Sequence, residues 1–271
     1  MFPEPLQTLA ALAWPSPAMV LAIGIGISFG AGLVRGFSGF GYSALVVAGL
    51  SPFVWIGPVI AAVLILEAVA SARVVGQVRA DIDRTWHSST LLGNLLFVPL
   101  GLAAISWLNP DTVRIVLSAL VLAGAAMLRL SVGRRFESTR IVRSTAGAAS
   151  GLLNGFAASG GIVAALMMAA CGVAPHALRA TMISVLLWIS LYALACSAVL
   201  AAAGGGSLLG AEAVGWAILL WPSMALGIRM GTGAFRRADM KRQVLTVLNV
   251  LMIVAAAALV TGLRHAWTKA A

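Results

Sequence analysis

Two ionisable side chains sit inside apolar stretches of this 271-residue chain: Arg35, ahead of a glycine-rich turn, and Glu67, within the run Trp55 to Ala72. A charge there costs at least about 2.5 kcal/mol on insertion scales, so such groups face a cavity and mark an ion or proton path, or pair with each other to support packing. Around Arg35 runs Gly32-Leu33-Val34-Arg35-Gly36-Phe37, and the block recurs 119 residues later as Gly151-Leu152-Leu153-Asn154-Gly155-Phe156, with Gly41 and Gly160 at matched positions. The chemistry these residues suit is oxyanion binding. A helix that restarts within lipid exposes unpaired N–H groups carrying about half a positive charge. Ser38-Gly39-Phe40-Gly41 and Ala158-Ser159-Gly160-Gly161 supply such restarts, each with a hydroxyl. The candidate substrate contacts are therefore Arg35, Gly36, Ser38, Gly39, Gly41, Asn154, Gly155, Ser159, Gly160 and Gly161, with Glu67 as the candidate proton carrier. Thr181 joins them on one helix face with Ser184, although back-bonding to its own helix is the commoner use of such a hydroxyl. The competing account of the glycines is that they permit close helix packing in the membrane.

The elements that must position these groups are membrane helices. Hydrophobic residues make up 61% of the chain and charged residues only 10%, with mean hydropathy +1.02, too little polar surface to cover a soluble globule. Apolar runs cover about Ala18 to Val34, Phe40 to Leu50, Trp55 to Ala72, Ser89 to Leu108, Val113 to Leu130, Ala146 to Cys171, Ala180 to Ala203, Val214 to Gly231 and Val244 to Gly262. Most approach the roughly 20 residues that cross a bilayer core. The expected fold is an all-α polytopic membrane protein of two repeated halves, each of about four helical segments. The expected organisation is an N-terminal tail over 1–17, repeats over 18–130 and 145–263 joined by a cytoplasmic linker over 131–144, and a tail over 264–271, all in one transmembrane domain. The tail before Ala18 has no Lys or Arg, so it lacks a secretory n-region and is expected to lie as a short interfacial segment.

Charge placement constrains the topology. Basic residues gather at Arg73, Arg79 and Arg84; at Arg129, Arg134, Arg135, Arg140 and Arg143; and at Arg229, Arg236, Arg237, Lys241 and Arg242. Eight simple crossings would put the last group on the opposite face from the others, against the positive-inside tendency. If each glycine block instead turns a re-entrant hairpin, six full spans remain and all three basic loops share the inner face. In the second copy, legs of about Thr145 to Gly155 and Ile162 to Cys171 would each reach near 15 Å, only to the middle of the bilayer, whereas the first copy's leading leg from Ala18 is longer than its return leg, which leaves its glycine block as either a hairpin or a break in a full span. Three spans per half then make the halves inverted, with one hairpin entering from each face, a recurring transporter plan. Trp55, Trp86, Trp107, Trp188, Trp216, Trp221 and Trp267 mostly flank spans and are expected to form an interfacial belt.

Several classes lose support. The net charge of +10 has no aromatic-interleaved basic stripe beside it, which argues against nucleic acid. Cys171 and Cys196 read as small buried hydrophobes, and His87, His176 and His265 as solvated or interfacial residues at segment ends, so no metal site is expected. No P-loop occurs, and no cofactor is expected. Gly36-Phe37-Ser38-Gly39 matches the pattern around an intramembrane serine-protease nucleophile, yet no histidine lies mid-span to serve as its base and Ala157 replaces Ser38 in the second copy. An enzyme is not expected. An anion channel and a non-transporting assembly subunit remain as alternatives to a transporter.

Two related halves, the glycine-rich block opening each, and Gly172-Val173-Ala174-Pro175 leading to Arg179-Ala180-Thr181 together resemble the TauE/SafE family, also called the toluenesulfonate uptake permease family. The resemblance covers nearly the whole chain and is most specific from Gly151 to Thr181. It implies a secondary transporter in the bacterial inner membrane that exports small sulfur-containing or organic anions such as sulfite or sulfonates, with the lipid bilayer and a small anion as its partners.

Overall fold

The structure is a computed structural model that describes residues 16–107, 136–202 and 209–235, with isolated positions between 112 and 126 and between 249 and 260. Expectations for the outermost tails, the linker arginines before Phe136, the basic residues from Arg236 onward, His265 and Trp267 lie outside the described residues. Among the described residues the protein is all helix, in nine segments with no strand. They are α1 (Pro17–Ser38), α2 (Tyr42–Leu50), α3 (Ile56–Ala72), α4 (Val75–Val78, followed by a 3-10 turn Arg79–Asp81), α5 (Arg84–Trp107), α6 (Arg140–Ala157), α7 (Gly160–Ala170), α8 (Pro175–Ala202) and α9 (Ala211–Phe235). Four of them, α1, α5, α8 and α9, are long and apolar enough to cross a membrane, and α3 with α4 makes a fifth candidate bent by 53°.

Burial sorts these helices into an inner and an outer set. Nearly every side chain of α2 is buried and most of α3 and α7 are too, so these short apolar helices form the centre. A helix apolar all round is stable only when surrounded. The outer helices expose large apolar side chains instead: Leu92, Leu96 and Leu100 on α5, Val199 on α8, Ile218 and Leu226 on α9. A surface of that kind suits lipid, not water.

Both glycine blocks are followed by a reversal of the chain. Gly49 on α2 lies against Ile27, and Gly24 against Leu50, so α2 folds back along α1. In the second half the Phe136 amide donates to the carbonyl of Ala170 at 3.0 Å, which brings the entry to α6 beside the end of α7. The turns use positive φ at Gly39 (84°) and Gly41 (91°) in the first case and at Ala158 (52°) in the second. Alanine in that region carries a steric penalty of roughly 1–2 kcal/mol, and we expect Ala158→Gly to raise the melting midpoint in detergent; an unchanged or lowered midpoint would contradict a strained turn.

The second leading helix is longer than the sequence suggests, and the first is long as its apolar run from Ala18 implies. The second begins at Arg140, not near Thr145, because the Thr139 hydroxyl caps it by accepting from the Val142 amide at 3.2 Å. At 18 residues it reaches about 27 Å, and the 22 residues of α1 reach about 33 Å, so neither leading leg stops near 15 Å. Ser16 caps α1 and Pro17 occupies its first position, a favourable start for a helix. The return helices nevertheless begin part-way along their neighbours, beside Glu67 and Leu186, each the twelfth residue of its helix, α3 or α8.

The glycine blocks themselves pack helix on helix. Along α1, Ser28 donates to the Leu220 carbonyl at 3.0 Å, a Cβ on Gly32 would stand 2.7 Å from the Met224 carbonyl, and one on Gly36 would collide with Ile228. The register advances in step on both helices, so α1 and α9 run parallel. Along α6, Gly147 faces Ser89, Gly151 faces Gly93 and Asn94, and Gly155 faces Val98, so α5 and α6 are parallel too. Small residues every fourth position let these backbones touch. The belt of tryptophans needs correction: Trp86 is 1% exposed and belongs to the core, whereas Trp188 is 54% exposed in the middle of α8. Trp55 is exposed as expected, and Trp221 is partly buried under the guanidinium of Arg73, 4.6 Å from its ring centre.

Candidate functional site

One end of the molecule collects the basic side chains. There the first turns of α8 meet the last turns of α1 and α9: Arg179 donates to the Gly36 carbonyl at 3.1 Å and to the Thr232 hydroxyl at 3.4 Å, and Gly39 packs on Arg179. The Asp83 amide donates to Thr181 at 2.9 Å, which brings the start of α5 to the same end. Since α6 runs parallel to α5, its Arg140 joins exposed Arg79, Arg84 and Arg229 there. α1 therefore runs toward the basic end and α6 away from it.

Arg35 and Glu67 meet. Arg35 is 4% and Glu67 1% exposed, and the guanidinium forms an ion pair with Oε2 while its other nitrogen donates to Ser71 Oγ at 2.6 Å. The second carboxylate oxygen accepts from the Ser43 amide at 3.3 Å, in the first turn of α2. The anion-favouring start of the first return helix thus holds an anion of the protein's own. Tyr42, next to it, shares a hydrogen bond of 2.9 Å with Ser28, whose hydroxyl also reaches α9.

Around the second reversal the buried polar groups are neutral and come from both halves of the chain. Asn154 is 2% exposed with no partner for its Nδ2, and its side chain lies against Gly160, the first residue of α7. Asn94 donates to Ser150 at 3.2 Å and to the Thr90 carbonyl at 2.8 Å, leaving its own oxygen and the Thr90 hydroxyl unpartnered. His87 is not a free solvated histidine; its Nε2 lies 2.9 Å from Ser184 Oγ. Thr181 and Ser184 therefore bond across to α5 and its approach, not back to their own helix.

A family model described as Sulfite exporter TauE/SafE matches residues 24–259. The chain belongs to the TauE/SafE family. No curated protein matches it, and no solved structure does. Membership makes this TauE/SafE chain a multi-pass membrane transporter of sulfur-containing anions, from a family of transporters and not of enzymes.

Among the candidate contacts, the roles divide. Gly36, Gly155 and Gly160 present their Cα faces to the carbonyls of Ile228, Val98 and Ser150, so in this TauE/SafE chain they set helix spacing. Ser38 Oγ lies 2.8 Å from the carbonyls of both Val34 and Phe40, and Ser159 Oγ bonds the Ala157 carbonyl at 2.9 Å, which ties both hydroxyls into their own turns. Gly39 and Gly41 supply the left-handed turn. Gly161 faces the Leu186 side chain at the start of α7. Sequence reasoning passed over Asn94, Ser150 and Thr90, whose signal is the four-residue spacing of Thr90 with Asn94 on α5 and of Ser150 with Asn154 on α6.

Proposed function

We propose that the protein is a secondary transporter that exports small sulfur-containing or organic anions, sulfite and sulfonates first among them, across the bacterial inner membrane. The observation that supports this reading is the pair of chain reversals whose return helices begin part-way along α3 and α8, one after α1 running toward the basic end and the other after α6 running away from it. In lipid such starts are satisfied only against protein or a polar cavity, and they favour anions. The reading takes the two halves as inverted repeats and places the substrate between the hairpin turns, near Gly39, Gly41, Ser159, Gly160, Gly161 and Asn154, with Thr181 toward the basic end and the Arg35–Glu67 pair beside the path. Glu67, a carboxylate deep in an apolar helix, is the proton carrier of this scheme.

Purified protein in liposomes provides the test, with sulfite, sulfonates and carboxylates offered as a panel, with and without a pH gradient. Sulfite or sulfonate flux is expected, faster under the gradient. Absence of anion flux under every gradient would overturn the transport reading.

A further inference from the structure

The seam between α5 and α6 is built like the seam between α9 and α1. Gly151 packs on Asn94 and Gly155 on Val98, as Gly32 packs on Met224 and Gly36 on Ile228, and Gly101 and Gly231 lie against the carbonyls of Leu152 and Leu33. α9 therefore matches α5 at a distance of 130 residues, so Thr90 corresponds to Leu220 and Asn94 to Met224, while in the register of the glycine blocks Ser150 corresponds to Ala31. All six are buried, three of them polar and three apolar. Leu220, Met224 and Ala31 show that close packing of such a helix pair needs no polar side chain. The polarity of Thr90, Asn94 and Ser150 has another cause.

Two oxygens on that seam have no partner, Thr90 Oγ1 and Asn94 Oδ1. A helical threonine commonly bonds back to a carbonyl of its own helix, as Thr145 does to Ile141 at 3.0 Å, and Thr90 does not. The Asn94 amide is fixed in direction, because its Nδ2 meets the Thr90 carbonyl at 2.8 Å and a carbonyl can only accept. Its oxygen is left over, with no proton to give. The same Nδ2 lies 3.2 Å from Ser150 Oγ, so one amide group spans all three residues and gathers their oxygens in one place. Buried acceptors without donors are rare in native proteins and call for a bound group that is positive or gives protons.

We propose that this seam is a seat for a small monovalent cation, sodium, held by Thr90 Oγ1 and Asn94 Oδ1 with Ser150 Oγ beside them. Hydroxyl and amide oxygens are hard, neutral ligands. Oxygen sites for divalent cations draw on carboxylates, and neither α5 nor α6 carries an Asp or Glu. Among the described residues no group of three His, Cys, Asp or Glu could hold a metal either. A neutral oxygen set fits a single positive charge. In the transport reading above, the ion is a coupling cation besides the proton; its binding does not depend on that reading.

The test copies the apolar seam into the polar one. Wild type, Thr90→Leu with Asn94→Met, and Thr90→Val are purified full-length in detergent, and each melting midpoint is followed against sodium chloride, with potassium and choline chloride at equal ionic strength. The wild type is expected to rise saturably with sodium and not with choline. The double variant, which carries the side chains of the α9 seam, should melt cooperatively and lose the sodium response. Thr90→Val should need about tenfold to a hundredfold more sodium for the same shift, the loss that one contact to a charged group brings. Equal wild-type midpoints in sodium and choline would mean that water alone fills the seam and would overturn the seat. A sodium response that survives in both variants would overturn it too, by placing the ion elsewhere. Melting reads the seat without any flux, so its failure and a failure of transport are separate results.

Discussion

Glu67→Ala is expected to lower stability by about 3–5 kcal/mol, the largest loss from any single side chain in the first half, because it strands a buried guanidinium. Arg35 would keep Ser71 and lose its counter-charge, while the Ser43 amide would lose its acceptor. A buried ion pair is costly to desolvate, so removing both charges differs sharply from removing one. Arg35→Met with Glu67→Leu should recover most of the melting midpoint that either single change loses. A double variant as unstable as Glu67→Ala would show that the pair contributes net stability instead of merely cancelling. Glu67→Gln keeps an oxygen for Arg35 without a titratable proton. It should therefore lose less stability than the alanine variant and still abolish the effect of a pH gradient on flux.

The second large effect concerns glycine. Gly155→Ala is expected to cost about 1–3 kcal/mol, since a Cβ there would enter the Val98 carbonyl and the flanking Leu102 amide, and the α5–α6 pair would have to part. Gly30→Ala provides the contrast. It sits in the same kind of helix with nothing within 4 Å of the added methyl, and alanine favours helix by up to about 1 kcal/mol over glycine. Gly30→Ala should thus be neutral or stabilising in a detergent melt. Equal losses at both positions would mean that helix contact is not what the glycine blocks supply.

These effects also show what could be read from the chain alone. The reversals were legible because charge is an accounting constraint: Arg79, Arg84, Arg140 and Arg229 share one face only if the chain turns back within its apolar runs. The ion pair was legible as one of two uses for Arg35 and Glu67. Leg length was not, since Arg140 and Arg143 interrupt the hydropathy of α6 while leaving its helix intact behind the Thr139 cap. Nor was the partner of each glycine block, because α1 meets α9 across nearly 200 residues of sequence. A four-residue spacing of small residues did hold that information, in Gly147, Gly151 and Gly155 on one side and Ser89 and Gly93 on the other. Trp86 misled for a different reason: position near a span end places an indole at the interface only when no neighbour covers it, and here it is enclosed.

The close seam between α1 and α9 has a mechanical consequence. α1 comes from the first half of the chain and α9 from the second, yet backbone touches backbone from Ser28 to Gly36, and Ser28 ties both to Tyr42 of α2. The same exchange joins α5 to α6. Helices packed at that distance part only by breaking backbone contact, so the closely packed groups do not divide the sequence at its midpoint. They are α1, α2 and α9 on one side and α5, α6 and α7 on the other, with α3 and α8 between them.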